Sequence, residues 1–239
     1  MKGLNYDIYI NNTSRQFDDR GFECILAVIL VVGCLTLLMF FPIMGIALSV
    51  FAYGFLCLGA KHYLIGIATN NILPIESVFS KWKRAIPAFC LKFATLLITS
   101  LWTIVFIIPG IVTAINYSMA SFVMAEDDNI DALSAMVKSK ELVKGYRGQI
   151  FIVYLCYILV SVVAMVLLSA IAMAMVYYFK VAVWIPIVCM GVIFLFVLMI
   201  LIIPYFELGL TNVYLTLKKD KEKEQKTKRN YKKRIKNSV

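Results

Sequence analysis

Residues 93–125 read FATLLITSLWTIVFIIPGIVTAINYSMASFVMA, 33 positions without an Asp, Glu, Lys or Arg. One helical crossing of a hydrocarbon layer takes about 20 residues, so the stretch is too long for a single span and divides where Pro109-Gly110 interrupts helix. Three further charge-free blocks, 24–60, 148–179 and 181–206, hold 37, 32 and 26 residues. Of the 239 residues, 62% are hydrophobic and 16% charged, with a mean hydropathy of +0.84. That composition excludes an ordinary soluble globule. The expected fold is all-α: a polytopic transmembrane helical bundle of about six spans with short interfacial amphipathic helices.

Proline and the residue before it disfavour continuous helix, so Phe41-Pro42 separates spans near 24–41 and 44–68. The third is expected to end near Ile108 and a shorter fourth to begin near Ile111. Two more follow near 150–175 and 182–216, with Phe179-Lys180 between them. A re-entrant hairpin of the third and fourth segments would preserve the same charge pattern. The organisation is then a segment 1–22, a membrane domain 23–217 and a basic tail 218–239.

Short cytoplasmic segments are enriched in Lys and Arg. Lys2, Arg15 and Arg20 precede the first span; Lys81, Lys83 and Arg84 follow the second; Lys138, Lys140, Lys144 and Arg147 follow the fourth. The first and third connections carry none. Both termini are therefore expected in the cytoplasm of a multi-pass cell-membrane protein. The polar opening segment and the length of the first apolar block predict no cleaved signal peptide. Residues 218–236 hold 11 basic and three acidic side chains, which accounts for eight of the formal net charge of +10. Placed directly after a span, such a tail reads as a partner of anionic lipid rather than as a nucleic-acid arm.

Two connections carry helical patterning. After Pro74, the apolar residues Ile75, Val78, Phe79 and Trp82 recur at helical spacing among Glu76, Lys81, Lys83 and Arg84, which predicts an interfacial helix. Further on, Asp127, Asp128 and Asn129 supply helix-starting groups, Ile130, Leu133, Met136, Val137 and Val143 an apolar stripe, and Gly145 a stop. Helical hairpins thus alternate with amphipathic or basic segments in a loose threefold theme.

Chemistry-bearing residues are few. Glu207 is a carboxylate within an apolar segment, a costly placement that often marks an ion or proton path, and Lys61 is its candidate ion-pair partner. Pro109 and Gly110 mark either a short turn or the apex of a broken helix. Asn116 and Tyr117 are polar groups that should face other helices. Glu126, Asp127, Asp128 and Asp131 lack calcium-loop spacing and read as helix-capping, solvated acids. The lone His62 and the six cysteines, Cys24, Cys34, Cys57, Cys90, Cys156 and Cys189, show no metal-ligand spacing; the cysteines read as small apolar residues. No catalytic, cofactor-binding or metal set is expected.

The stretch LWTIVFIIPGIVTAINYSMASFVMAEDDNIDALSAMVKSKELVKGYRGQIF, residues 101–151, resembles the signature of a bacterial integral-membrane family known as domain of unknown function 975 (DUF975). Trp102, the IIPGI run 107–111, Tyr117-Ser118-Met119, Glu126-Asp127, Ala135, Ser139-Lys140, Lys144-Gly145 and Phe151 carry the resemblance, with Pro204-Tyr205 and Tyr214 near the end. An Ala-Met run at 169–175 stands where the family tends to have Gly and Trp, and the lysine-rich tail runs past the family's usual end. The resemblance implies a multi-pass membrane protein and carries no activity, substrate or catalytic residue. The expected function is a non-enzymatic membrane scaffold, accessory or regulatory component with a membrane or cytosolic protein partner. The alternative is a small transporter or lipid-handling protein built around Glu207, Lys61 and the Pro109-Gly110 break.

Overall fold

The computed structural model describes residues 6–38, 44–71, 73–179, 191 and 202–237. The expected breaks at Phe41-Pro42 and Lys180, and residues 182–190 and 192–201 of the sixth span, lie outside these residues. The described chain is an all-α bundle. Its helices are α1 (Tyr6–Leu38), α2 (Met44–Ala68), a 3-10 helix (Ile75–Arg84), α3 (Ala85–Val105), α4 (Ile107–Tyr117), α5 (Ala120–Glu126), α6 (Ala132–Val143), α7 (Arg147–Phe179) and α8 (Ile203–Asn237). Five described stretches, Ile10–Leu38, Leu48–Ala68, Ile75–Val105, Ile107–Glu126 and Arg147–Ile171, are long and apolar enough to cross a membrane. Large apolar side chains on their outer faces are exposed, including Leu96, Leu101, Ile104, Phe106 and Ile108 of the α3–α4 hairpin. A water-soluble monomer rarely leaves so continuous an apolar face uncovered.

α2 sits at the centre and packs against α1, the 3-10 helix, α3, α5 and α8. Its glycines set the closest approaches. A Cβ on Gly59 would run into the Val78 carbonyl oxygen, and one on Gly54 would lie 2.9 Å from the Phe89 nitrogen. α2 ends in a Schellman motif, with Asn70 in the left-handed region at φ 58° and bonds from Asn70 N to Ile67 O and from Asn71 N to Gly66 O. One core cluster joins Leu91, Ile115, Phe122, Met124, Met136, Val143, Ile150 and Leu217; another joins Cys24, Leu64, Ile67, Val78 and Leu208.

The structure moves several predicted boundaries. α1 begins well before residue 24 and kinks at Arg20, where φ is −134° and ψ is 21°. The turn between α3 and α4 falls at Phe106, not at Pro109-Gly110. Pro109 instead occupies the first turn of α4, where its missing N–H costs no helical bond. Gly110 lets the hairpin close, because a Cβ there would meet the Thr103 side chain. The predicted fourth span divides again between Tyr117 and Ala120 into α4 and α5.

The segment after Pro74 is a 3-10 helix that buries Val78 and Lys81 while leaving Trp82 63% exposed. In α6, Ala135, Met136, Ser139 and Val143 are buried, whereas the predicted stripe members Leu133 and Val137 are exposed. Asp131 is the residue at the start of α6, and Gly145, at φ 96°, follows its end as the stop predicted.

Replacing Gly59 by leucine should lower the thermal stability of the detergent-purified protein by about 1–3 kcal/mol and open the 3-10 connection to proteolysis. Gly33→Ala, whose Cβ meets nothing within 4 Å, is the control expected to leave both unchanged.

Candidate functional site

The structure brings Lys61 and Glu207, 146 positions apart in sequence, into an ion pair between α2 and α8. Lys61 is 7% exposed, and its ammonium lies 4.4 Å from the centre of the Phe122 ring on α5. The pair thus sits where three helices meet, with an aromatic face supplying further attraction for the cation. Phe122 also stacks on Tyr214 of α8, ring centres 5.4 Å apart. The Tyr214 hydroxyl donates to Glu126 Oε2 at 2.6 Å, and Lys218 reaches Glu126 Oε1 at 2.5 Å. Glu207, Thr211, Tyr214 and Lys218 recur at steps of four, three and four, so one face of α8 carries this polar column.

A second set of polar links ties α1 to α2 and α8. Arg20 pairs with Glu23, which also accepts a hydrogen bond from the Tyr63 hydroxyl at 3.3 Å. The Asn212 amide donates to Thr13 Oγ1 and Gln16 Oε1 at 3.1 and 2.8 Å, and Ser14 and Tyr205 share a hydrogen bond of 3.1 Å. Thr95, Thr103, Thr113 and Ser161 return their hydroxyls to carbonyls one turn back, which satisfies them without a ligand.

At the α5–α6 turn, Arg84 donates to the carbonyls of Met124 and Asp127 at 3.0 and 2.9 Å, and also to that of Ile130. It serves as a cationic cap for the carbonyls around the end of α5. Beside it, buried Lys81 pairs with Asp128 at 2.6 Å. The Lys81 hydrogen bond, partly opposed by desolvation, holds the Asp128 carboxyl below the usual carboxylate range. The Asp127 carboxyl is also lowered, first by the backbone N–H of Asn129 and then by Lys138. These acids therefore fasten turns and basic neighbours.

α8 continues unbroken from the bundle into the basic tail. Its first tail turns are fastened to the α6–α7 connection: Tyr146 donates to Asp220 at 3.2 Å and Lys221 to the Lys144 carbonyl at 3.2 Å. Burial, followed by the Asp220 charge and hydrogen bond, pushes the Tyr146 hydroxyl up. Between α5–α6 and α8 lies an open cleft of about 620 Å³ whose lining includes Glu126, Lys138, Glu141, Lys144, Lys218 and Lys221. Both charge signs line it.

Pro109 and Gly110 belong to the α3–α4 hairpin and share no described hydrogen bond or ion pair with Lys61 or Glu207. Asn116 lies at the end of α4, where its carbonyl accepts from buried Ser139 at 2.7 Å; its side-chain oxygen is buried without a described hydrogen-bond partner. Tyr117 is half-buried against the main core. Among the described residues, Cys24, Cys34, Cys57, Cys90 and Cys156 are free thiols, and no three His, Cys, Asp or Glu side chains converge as metal ligands.

The sequence reading found Lys61 but missed Tyr53 and Cys57, eight and four residues before it on α2, and Lys92 on α3. The Lys92 ammonium lies 5.6 Å from the centre of the Tyr53 ring, one turn before Cys57 on α2. The signal that could have found them is that Lys92 is the single charged residue of α3. Comparisons with protein-family models, curated proteins and solved structures return no match.

Glu207→Gln should cost roughly 3 kcal/mol of stability by leaving the Lys61 ammonium buried without its carboxylate. The double replacement Lys61→Met, Glu207→Leu should recover most of that loss in thermal unfolding, because it removes both buried charges. Asp128 gives a pH test. Its lowered folded-state pKa means that its contribution is present above the unfolded value near 4 and is lost as pH falls through the lower folded value. Midpoints measured from pH 7 to pH 2 should therefore fall less steeply below about pH 4 in Asp128→Asn than in the wild type.

Proposed function

We propose that the chain is a multi-pass cell-membrane protein with both termini in the cytoplasm, acting as a non-enzymatic scaffold, accessory or regulatory component. The observation that carries this reading is the fastening of α8. The helix runs from Glu207, paired inside the bundle, to a basic tail held to α5 by Glu126 and to the α6–α7 connection by Tyr146 and the Lys144 carbonyl. Such a helix is a fixed cytoplasmic projection, suited to meeting anionic lipid and a membrane or cytosolic protein partner. The uncovered apolar faces of α3 and α4 support the membrane setting. The mixed charge of the cleft beside the tail favours a protein surface of both signs over nucleic acid, whose phosphates repel the lining carboxylates.

A small transporter or lipid-handling protein is the second reading, favoured by the ion pair in the apolar bundle. Purification from mild detergent, with and without residues 218–239, separates the two. The scaffold reading expects a reproducible partner or retained anionic phospholipid that is reduced when the tail is absent. Intact protein that purifies alone, and in reconstituted vesicles carries a solute by a route abolished in a folded Glu207→Gln variant, would establish the transporter instead.

A further inference from the structure

Of the two lysines on α2 and α3, one has no carboxylate partner among the described residues. Lys61 has Glu207, Arg20 has Glu23, and Lys81 has Asp128. Lys92, the single charged residue of α3, has no carboxylate within ion-pair distance among the described residues. Its ammonium lies 5.6 Å from the centre of the Tyr53 ring, a polarisable group that carries no fixed negative charge. An ammonium in an apolar layer is costly unless an anion or the headgroup region accepts it.

Position supplies the anion. Lys92 lies seven residues into α3, about 10 Å along its axis from Ala85. The first turns of α3 belong to the layer of α6 and the Arg84–Lys81–Asp128 junction, with which α3 and the 3-10 helix pack. The half-buried lysine stem thus leaves its ammonium within a side chain's reach of a cytoplasmic headgroup. Flanking it is an outward apolar face: Tyr53 is 46% exposed and Phe93 50%, with Leu96 and Leu97 following one turn on. Phe51, Phe89 and Phe93 form a continuous aromatic row there, with successive ring centres 5.8 Å apart. A cation above an aromatic and aliphatic wall matches one amphiphile in both parts, phosphate at the ammonium and acyl chain along the wall.

We propose that the α2–α3 edge is a binding site for a phosphate-bearing anionic lipid, with Lys92 holding the headgroup and Tyr53 and Phe93 lining the chain. This rests on the membrane setting proposed above and names a site distinct from the basic tail. Lys61 is excluded from it by its own carboxylate, which leaves Lys92 as the cation that a lipid phosphate neutralises.

The test uses the full chain, so that the tail is constant across variants. Carbonate extraction and flotation first check that each variant is integral to the membrane; a wild-type chain released by carbonate overturns the membrane setting itself. Purified wild type, Lys92→Arg, Lys92→Met and Lys92→Gln are then titrated in zwitterionic detergent with phosphatidylglycerol, phosphatidylcholine or inorganic phosphate, and thermal midpoints are read. Phosphatidylglycerol should raise the wild-type midpoint more than phosphatidylcholine does, with apparent affinity about fivefold weaker in Lys92→Met and Lys92→Gln and retained in Lys92→Arg. Without lipid, the two neutral variants should melt no lower than the wild type. Equal phosphatidylglycerol responses in wild type and neutral variants would overturn the site. A response reproduced by inorganic phosphate alone would overturn its assignment to lipid.

Discussion

Helix α2 can be touched by five other elements only because bulk is absent at its closest approaches. The Val78 carbonyl sits where a side chain on residue 59 would be, the α3 backbone at Phe89 crowds position 54, and the Leu73 side chain fills the space beside Gly66. In an apolar solvent, burying apolar surface adds little to helix association, so close packing and polar links carry more of it. The glycines supply the closeness. Lys61, one turn beyond Cys57 on the same helix, then reaches Glu207, and Tyr63 reaches Glu23 from the neighbouring surface. Remove the close approach and the polar links lose their geometry.

Many polar side chains among the described residues are satisfied within the bundle itself. Threonines and serines of the apolar helices bond to their own helix, the Asn212 amide spans α8 and α1, and Arg84 is consumed by backbone carbonyls. Each arrangement satisfies a group that would be expensive to leave bare. Among the described residues, the side-chain oxygens of Ser77, Asn116 and Gln149 stand outside that pattern, buried without a hydrogen-bond partner. They lie on three different elements, the 3-10 helix, α4 and α7.

The helical class and the apolar stretches were legible because a long uncharged run cannot be kept in water without a large bare apolar face, and lipid accepts such a face. The pairing of Lys61 with Glu207 was legible for a related reason: each is an isolated charge in apolar surroundings, and opposite charges there seek each other. Boundaries were harder. Proline marks a place where helix cannot be entered from behind, yet it is also tolerated in a first turn, so Pro109 located the hairpin while placing its turn three residues late. Apolar periodicity identified α6 without saying which side would be covered. Ser139 was buried by the Asn116 carbonyl, while Leu133 and Val137 were left outside. Lys92 was overlooked because it marks the edge of a charge-free block, and a boundary residue is easily read as lying outside the segment it terminates.

α8 passes from Glu207 to Asn237 with no break between its packed part and its basic part. A continuous helix is stiff over this length and rises about 1.5 Å per residue, so the roughly 16 residues beyond Lys221 extend about 24 Å. Its inner end is fixed to α2, α5 and the α6–α7 connection as far as Lys221, which makes that residue the fulcrum. A tilt of about 5° there, of the size that side-chain repacking between helices can absorb, would displace the far tip by about 2 Å. The geometry is that of a pointer, in which a small rearrangement at the fastened end is larger at the tip.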